Sequence, residues 1–229
     1  MFSQRQKDIL VGLLLGDGSL EFDKCKASRL QVKQAEEKKE YVLWLYQCFS
    51  EVVKTSPKQR MDTKQWYFGT RYTKEFEKFR KLFYLGRKRI LPSIINDLIL
   101  SSLTIAIWYM DDGRLDYRAK SHYAYIISTD SFSVAEVQKL QSILLKKFFV
   151  PSTMHMSLCR GKRYPKIYIG KDGRDNFLKI ILPHILECFY YKIPPFARKI
   201  TLTPQRLHAE PQSILRLGDD IVRSSQRCE

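Results

Sequence analysis

An aspartate between an apolar run and a glycine occurs twice in this chain, as Asp17 in "LVGLLLGDG" (Leu10 to Gly18) and as Asp112 in "IAIWYMDDG" (Ile105 to Gly113). Each run reads as a buried helix, so each carboxylate stands at a helix C-terminus. That end carries partial negative charge, and an anion there is unfavourable unless a cation shares the site. Asp-Gly is also a common turn and glycine the usual helix terminator, which would suffice for a single copy. Two copies ask for more. Gly12 and Gly16 give the first helix a small face, Ala106 gives the second a small residue, and both allow close approach. Packed side by side, the helices would bring both carboxylates to one end of the seam. There they can hold divalent ions with few protein ligands and several waters, as Mg²⁺ prefers. Against a phosphodiester, such ions activate water and stabilise the leaving oxygen.

The elements that must position these carboxylates are themselves repeated. Asp112 follows Asp17 by 95 positions, and that offset also lays Val32 on Ile127, Val42 on Val137 and Leu45 on Leu140. Farther on the register drifts to 101, where "WYFGT" (66–70) meets "IYIGK" (167–171), which implies a longer loop in the second copy. Helical spacing appears at Tyr41, Leu45, Cys48 and Val52, and at Val137, Leu140, Leu144 and Phe148. Strand alternation appears in "RLQVK", "QWYFGTR" and "KIYIG". The pattern predicts an α+β fold of two pseudo-symmetric αββαββα units with antiparallel sheets. Residues 1–98 form the first unit, 99–197 the second, and 198–229 an extension without a counterpart.

With 40 Lys+Arg against 24 Asp+Glu, the net charge is +16, which calls for a polyanionic partner. In the strands one face is apolar. The other carries Arg29, Gln31, Lys33, Gln65, Tyr67 and Arg71 in the first unit. In the second it carries His155, Lys166 and Tyr168, with Arg160, Lys162 and Arg163 around the hairpin tip. Antiparallel strands bearing long donors can enter a DNA groove and read base edges. Hairpin-tip and tail charges such as Lys162 and Arg198 are better placed for phosphates.

Both segments resemble the paired motif of the LAGLIDADG homing endonucleases, the first closely and the second in a variant form, over roughly residues 5 to 195. The resemblance implies a monomer whose two motif helices pack together and whose two β-saddles lie along a long asymmetric DNA site. It implies cleavage of both strands across the minor groove, leaving 3′ overhangs, with Mg²⁺ as the ion and Mn²⁺ as a substitute. By motif position the catalytic metal ligands fall on Asp17 and Asp112, with Gly16 and Asp111 beside them. The family's basic residue near the scissile phosphates falls on Lys88 or Arg89 in "KRILP" and on Lys192 in "YKIPP". Lys33 and Ser128 take positions where relatives place a polar group that orders water. The variant motif carries Ile107 where the family pattern prefers glycine, which makes close helix contact less obvious there. The family also includes intron-RNA maturases and DNA-binding proteins without an active site, so intron RNA stands as an alternative partner.

Five cysteines without a C-x-x-C pair fit neither a disulfide framework nor zinc, and suggest a reducing interior, in an organelle or a bacterial or phage-infected cytoplasm. The apolar stretch Ile9 to Leu15 is too short to span a membrane. No obligate protein partner is expected. The chain opens on Met1 and ends without a His-Asn pair, so protein splicing is not expected.

Overall fold

The computed structural model describes residues 1–23, 27–119, 122–159 and 161–201. Arg160 and the expected extension from residue 202 onward lie outside the described residues. The first set of elements runs α1 (Gln4–Leu15), β1 (Ser19–Phe22), β2 (Ser28–Gln34), α2 (Lys39–Cys48), β3 (Lys58–Gln59), β4 (Trp66–Gly69) and α3 (Lys74–Phe83). A small hairpin of β5 (Tyr84–Leu85) and β6 (Lys88–Arg89) and the short helix α4 (Ile95–Leu98) lead onward. The second set repeats the order: α5 (Ser102–Asp112), β7 (Gly113–Arg118), β8 (His122–Ser128), α6 (Val134–Phe148), β9 (Thr153–Cys159), β10 (Lys162–Ile169) and α7 (Arg174–Ile181), followed by α8 (Pro195–Thr201). Each set forms one antiparallel sheet, of order β1-β2-β4-β3 and β7-β8-β10-β9.

Helices α1 and α5 form the centre. Ser3 and Gln6 close a capping box at the start of α1, and the Ser101 hydroxyl accepts from Thr104 N–H at the start of α5. From Asp8 to Leu15 and from Leu103 to Asp111 every residue is buried. A helix apolar on all sides has no solvent face to keep, so it belongs inside.

The two backbones approach closely where glycine permits it. A Cβ added at Gly12 would lie 2.6 Å from Ile107 Cβ and 2.8 Å from the Thr104 carbonyl oxygen. One added at Gly16 would lie 2.5 Å from Asp111 Cβ. Positions equivalent in the repeat therefore face each other, each pair matching a glycine of α1 with a larger residue of α5. Ile107 does not prevent the contact, because Gly12 takes up its volume. Thr104 Oγ1 adds a bond to the Asp8 carbonyl at 3.0 Å across the seam.

One sequence expectation is corrected. Helical spacing through Val52 suggested a longer α2, but α2 stops at Cys48 and Ser50–Val52 forms a 3₁₀ turn. The turn delivers Val53 into an antiparallel bridge with Thr70, a pairing that the local pattern cannot show. Among the described residues no helix is long and apolar enough to cross a membrane.

Candidate functional site

The ends of α1 and α5 meet with three carboxylates. Asp17 is exposed, Asp112 half-buried and Asp111 buried. Asp111 reaches across the seam: its Oδ2 accepts the backbone N–H of Asp17 at 3.1 Å. Gln34, the last residue of β2, donates its amide to Asp17 Oδ2 at 3.1 Å and to Asp111 Oδ1 at 3.4 Å. Lys38 Nζ donates to the Gln34 side-chain oxygen at 3.2 Å, which turns the NH₂ toward the carboxylates.

Two cations grip the helix ends. The β5–β6 hairpin turns at Gly86, whose φ of 63° favours glycine. Adjacent strand residues point to opposite faces, so the hairpin separates Lys88 from Arg89. Lys88 is exposed, whereas Arg89 donates to the carbonyls of Gly16 and Gly18 around Asp17. Lys192 is buried and donates to the Met110 carbonyl at 2.6 Å and the Asp111 carbonyl at 3.3 Å. Its own carbonyl accepts from the Tyr109 hydroxyl at 2.7 Å. A cation on the last carbonyls of a helix offsets the dipole that the carboxylates oppose. Lys38 and Lys192 each place Nζ 5.3 Å from the ring centroid of Phe189. Gln34, Lys38 and Phe189 are not among the sequence expectations, and Tyr41 is expected there only as part of a helix's apolar spacing. For Gln34 there was a signal: a polar residue in phase with buried Leu30 and Val32. Lys33 and Ser128 lie one position earlier in their repeats, on the open faces, and Ser128 Oγ accepts from Lys166 at 3.3 Å.

The site is electrostatically unfinished. Burial, and then the charge of Asp17, push Asp112 up to about 7. Burial and then Asp17 likewise hold Asp111 well above the usual carboxylate range, and burial and then Asp111 raise the Tyr41 phenol. Burial and then Lys38 bring Lys192 down to about 8. Two carboxylates that resist joint ionisation suit a divalent cation, and hard oxygen donors suit Mg²⁺ or a similar ion. Among the described residues no three His, Cys, Asp or Glu side chains are grouped to hold an ion unaided. The Gly16 carbonyl is turned to Arg89, and Asp111 is engaged by Asp17 N–H and Gln34. None of the hydrogen bonds above ends on the Asp112 carboxylate, and one, from Gln34, ends on that of Asp17.

These shifts set a pH dependence. Asp112 folds with its pKa raised, so between about pH 4 and 7 the folded protein binds more protons than the unfolded chain. Its contribution to stability falls as pH rises across that window. Urea midpoints in EDTA should decline from pH 4.5 to 7.5 more steeply than those of Asp112→Asn. Mg²⁺ should reverse the decline at the upper end, since the ion binds the ionised form. Equal slopes for the two proteins would remove Asp112 as the source.

The open sheet faces carry the expected residues. In the first sheet Lys33 lies opposite Tyr67, itself opposite Lys58, and Gln31 lies opposite Gly69. Arg29 shares this face, and Gln65 and exposed Arg71 flank β4 in the same phase. In the second sheet Lys166 pairs with His155 and Ser128, and Tyr168 with Thr153 and Ile126. The His155 and Tyr168 rings stack at 4.4 Å, and Tyr168 OH meets His122 Nε2 at 3.1 Å. Lys162 and Arg163 are exposed at the hairpin end, but alternation sends Arg163 to the face opposite Lys162. Arg198 lies in α8 and its Nε donates to the Ile193 carbonyl at 3.3 Å.

Residues 7–177 match the model of the LAGLIDADG DNA endonuclease family. The chain belongs to this family. Among LAGLIDADG relatives it is 29% identical over 200 residues to a cytochrome b mRNA maturase bI2 of Debaryomyces hansenii, covering 81% of this chain and 72% of that protein. It is 24% identical over 208 residues to the DNA endonuclease I-ChuI of Chlamydomonas applanata, covering 83% and 95%. The fold matches the homing endonuclease I-WcaI bound to its DNA recognition sequence with a TM-score of 0.73, at 24% identity over 85% of this chain and 88% of that one. The architecture is that of the single-chain, two-motif LAGLIDADG enzymes.

Proposed function

We propose that the chain is a monomeric, site-specific DNA endonuclease that makes a divalent-metal-dependent double-strand break in a long asymmetric target. The observation that carries this reading is the meeting of Asp17 and Asp112 at one end of the helix seam, with Arg89 and Lys192 behind them and an open basic sheet face in each repeat. Asp17 and Asp112 hold the ions, Mg²⁺ with Mn²⁺ able to substitute. Bound there, they supply activation of the attacking water and neutralisation of the leaving oxygen. Gln34 orients the Asp17 carboxylate, while Arg89 and Lys192 hold the helix ends and add positive charge beside the scissile phosphates. Arg29, Gln31, Lys33, Gln65, Tyr67 and Arg71, with His155, Lys166 and Tyr168, face the groove; Lys162, Arg163 and Arg198 serve the phosphates. The two sheets carry different side chains, so the target is not a palindrome. The cut leaves 3′ overhangs, and the gene setting is an organellar intron.

The maturase relative favours a second reading, binding of intron RNA by the same chain. A pure binder has no need for both aspartates and both flanking cations. Selection from a randomised duplex library with the purified protein and Mg²⁺ decides between them. One enriched asymmetric site, cut on both strands by a protein that sediments as a monomer, is expected. RNA splicing activity with no DNA cleavage would establish the second reading and overturn the first.

A further inference from the structure

Glu21 is the one carboxylate that strands β1–β4 turn to the open face, where it lies opposite Arg29. Near phosphates a carboxylate subtracts from binding, so its position there asks for a return. Asp116, 95 positions later, holds the equivalent place in β7, opposite Ala124.

In the first sheet Glu21 Oε2 receives Arg29 Nη2 at 2.6 Å, Arg29 Nε at 2.8 Å and Gln31 Nε2 at 3.1 Å. The Arg29 guanidinium also sits 5.0 Å from the Tyr72 ring centroid. Across from Gln31 stands Gly69, where an added Cβ would come within 3.1 Å of Gln31 Nε2. The missing side chain leaves the amide where Glu21 can hold it. An ionised carboxylate accepts and cannot donate, so Gln31 must keep its NH₂ toward Glu21 and its oxygen away. A base edge meeting that oxygen must offer a donor, the exocyclic amine of adenine or cytosine. Guanine O6 and thymine O4 are acceptors and would be repelled.

We propose that Glu21 is a specificity-determining positioning residue: through Gln31 it selects an adenine or cytosine amine at one base pair of the half-site under the first sheet. The proposal rests on the endonuclease reading above. Its test is a panel of duplexes carrying every single-base change in the selected target, competed for binding by the full-length protein with Ca²⁺ in place of Mg²⁺. Glu21→Ala should bind all duplexes somewhat more tightly and lose about tenfold or more of its preference for adenine or cytosine at one base pair. Gln31→Ala should lose the same preference at the same pair, and the double variant should lose no more. A uniform gain with an unchanged base profile would make Glu21 a mere surface charge and overturn the proposal. So would a change at a pair that Gln31→Ala does not affect. A wild-type protein without any site preference would overturn the endonuclease reading itself; a selective wild type with an unaltered variant profile overturns only the role of Glu21.

Discussion

Asp17→Asn and Asp112→Asn are each expected to lower double-strand cleavage about 10³-fold in Mg²⁺ while leaving target binding in EDTA intact or tighter. A metal ion contributes several kcal/mol of transition-state stabilisation, and each 1.36 kcal/mol is a factor of ten in rate. Asparagine keeps the shape of either side chain and, at position 17, an oxygen for the Gln34 amide, but removes the charge that the proposed ion requires. Neither carboxylate is a core group whose loss opens a cavity: Asp17 is exposed and Asp112 half-buried. The loss should therefore appear in single-turnover cleavage without any fall in the unfolding midpoint. Because burial, and then the charge of Asp17, oppose ionisation and hold Asp112 up to about 7, Asp112→Asn should even raise the midpoint above pH 7 in EDTA. Retention of full cleavage by either variant would exclude that residue as a metal ligand.

Gly12→Val should destabilise the protein by about 3 kcal/mol and lower cleavage by about 10²-fold in whatever fraction folds. The new side chain would enter space held by Ile107 Cβ at 2.6 Å, Ile107 Cγ2 at 2.8 Å and the Thr104 carbonyl at 2.8 Å. The helices must then separate, and the separation carries Asp17 away from Asp112. The gain in helix propensity from replacing glycine, about 1 kcal/mol at most, is too small to compensate. Adding Ile107→Ala removes a side chain from the same space and should recover part of the lost stability, whereas the Thr104 carbonyl remains. Chemical denaturation of the two variants measures both effects. A wild-type midpoint for Gly12→Val would mean that α1 and α5 do not touch there.

The sequence alone was enough for whatever depends on local period. Alternation placed Arg29, Gln31 and Lys33 on one face of β2, and the recurrence of apolar run, Asp and Gly at an offset of 95 exposed the repeat and its αββαββα order. A strand's faces and a helix's stripe are fixed by backbone geometry within a few residues, so they survive in the one-dimensional pattern. Lys88 and Arg89 could not be separated that way, since both flank the same proline at similar distance. The β5–β6 hairpin separated them by sending only Arg89 to the Gly16 and Gly18 carbonyls. Asp111 read as a neighbour of the second motif's aspartate, yet it serves the first motif, accepting Asp17 N–H from 94 residues away. Gln34 has the phase of a core residue, and its partners, Asp17 just past the end of α1 and Asp111 at the end of α5, cannot be read from β2 alone. Glu21 carries no local signal in the sequence; pairing with β2 sets it against Arg29 and Gln31. For Arg89, Asp111 and Gln34 the deciding contact joins segments far apart in the chain, which only tertiary packing, with α1 buried against α5, brings within hydrogen-bonding distance; for Glu21 it is the β1–β2 register that selects the partners.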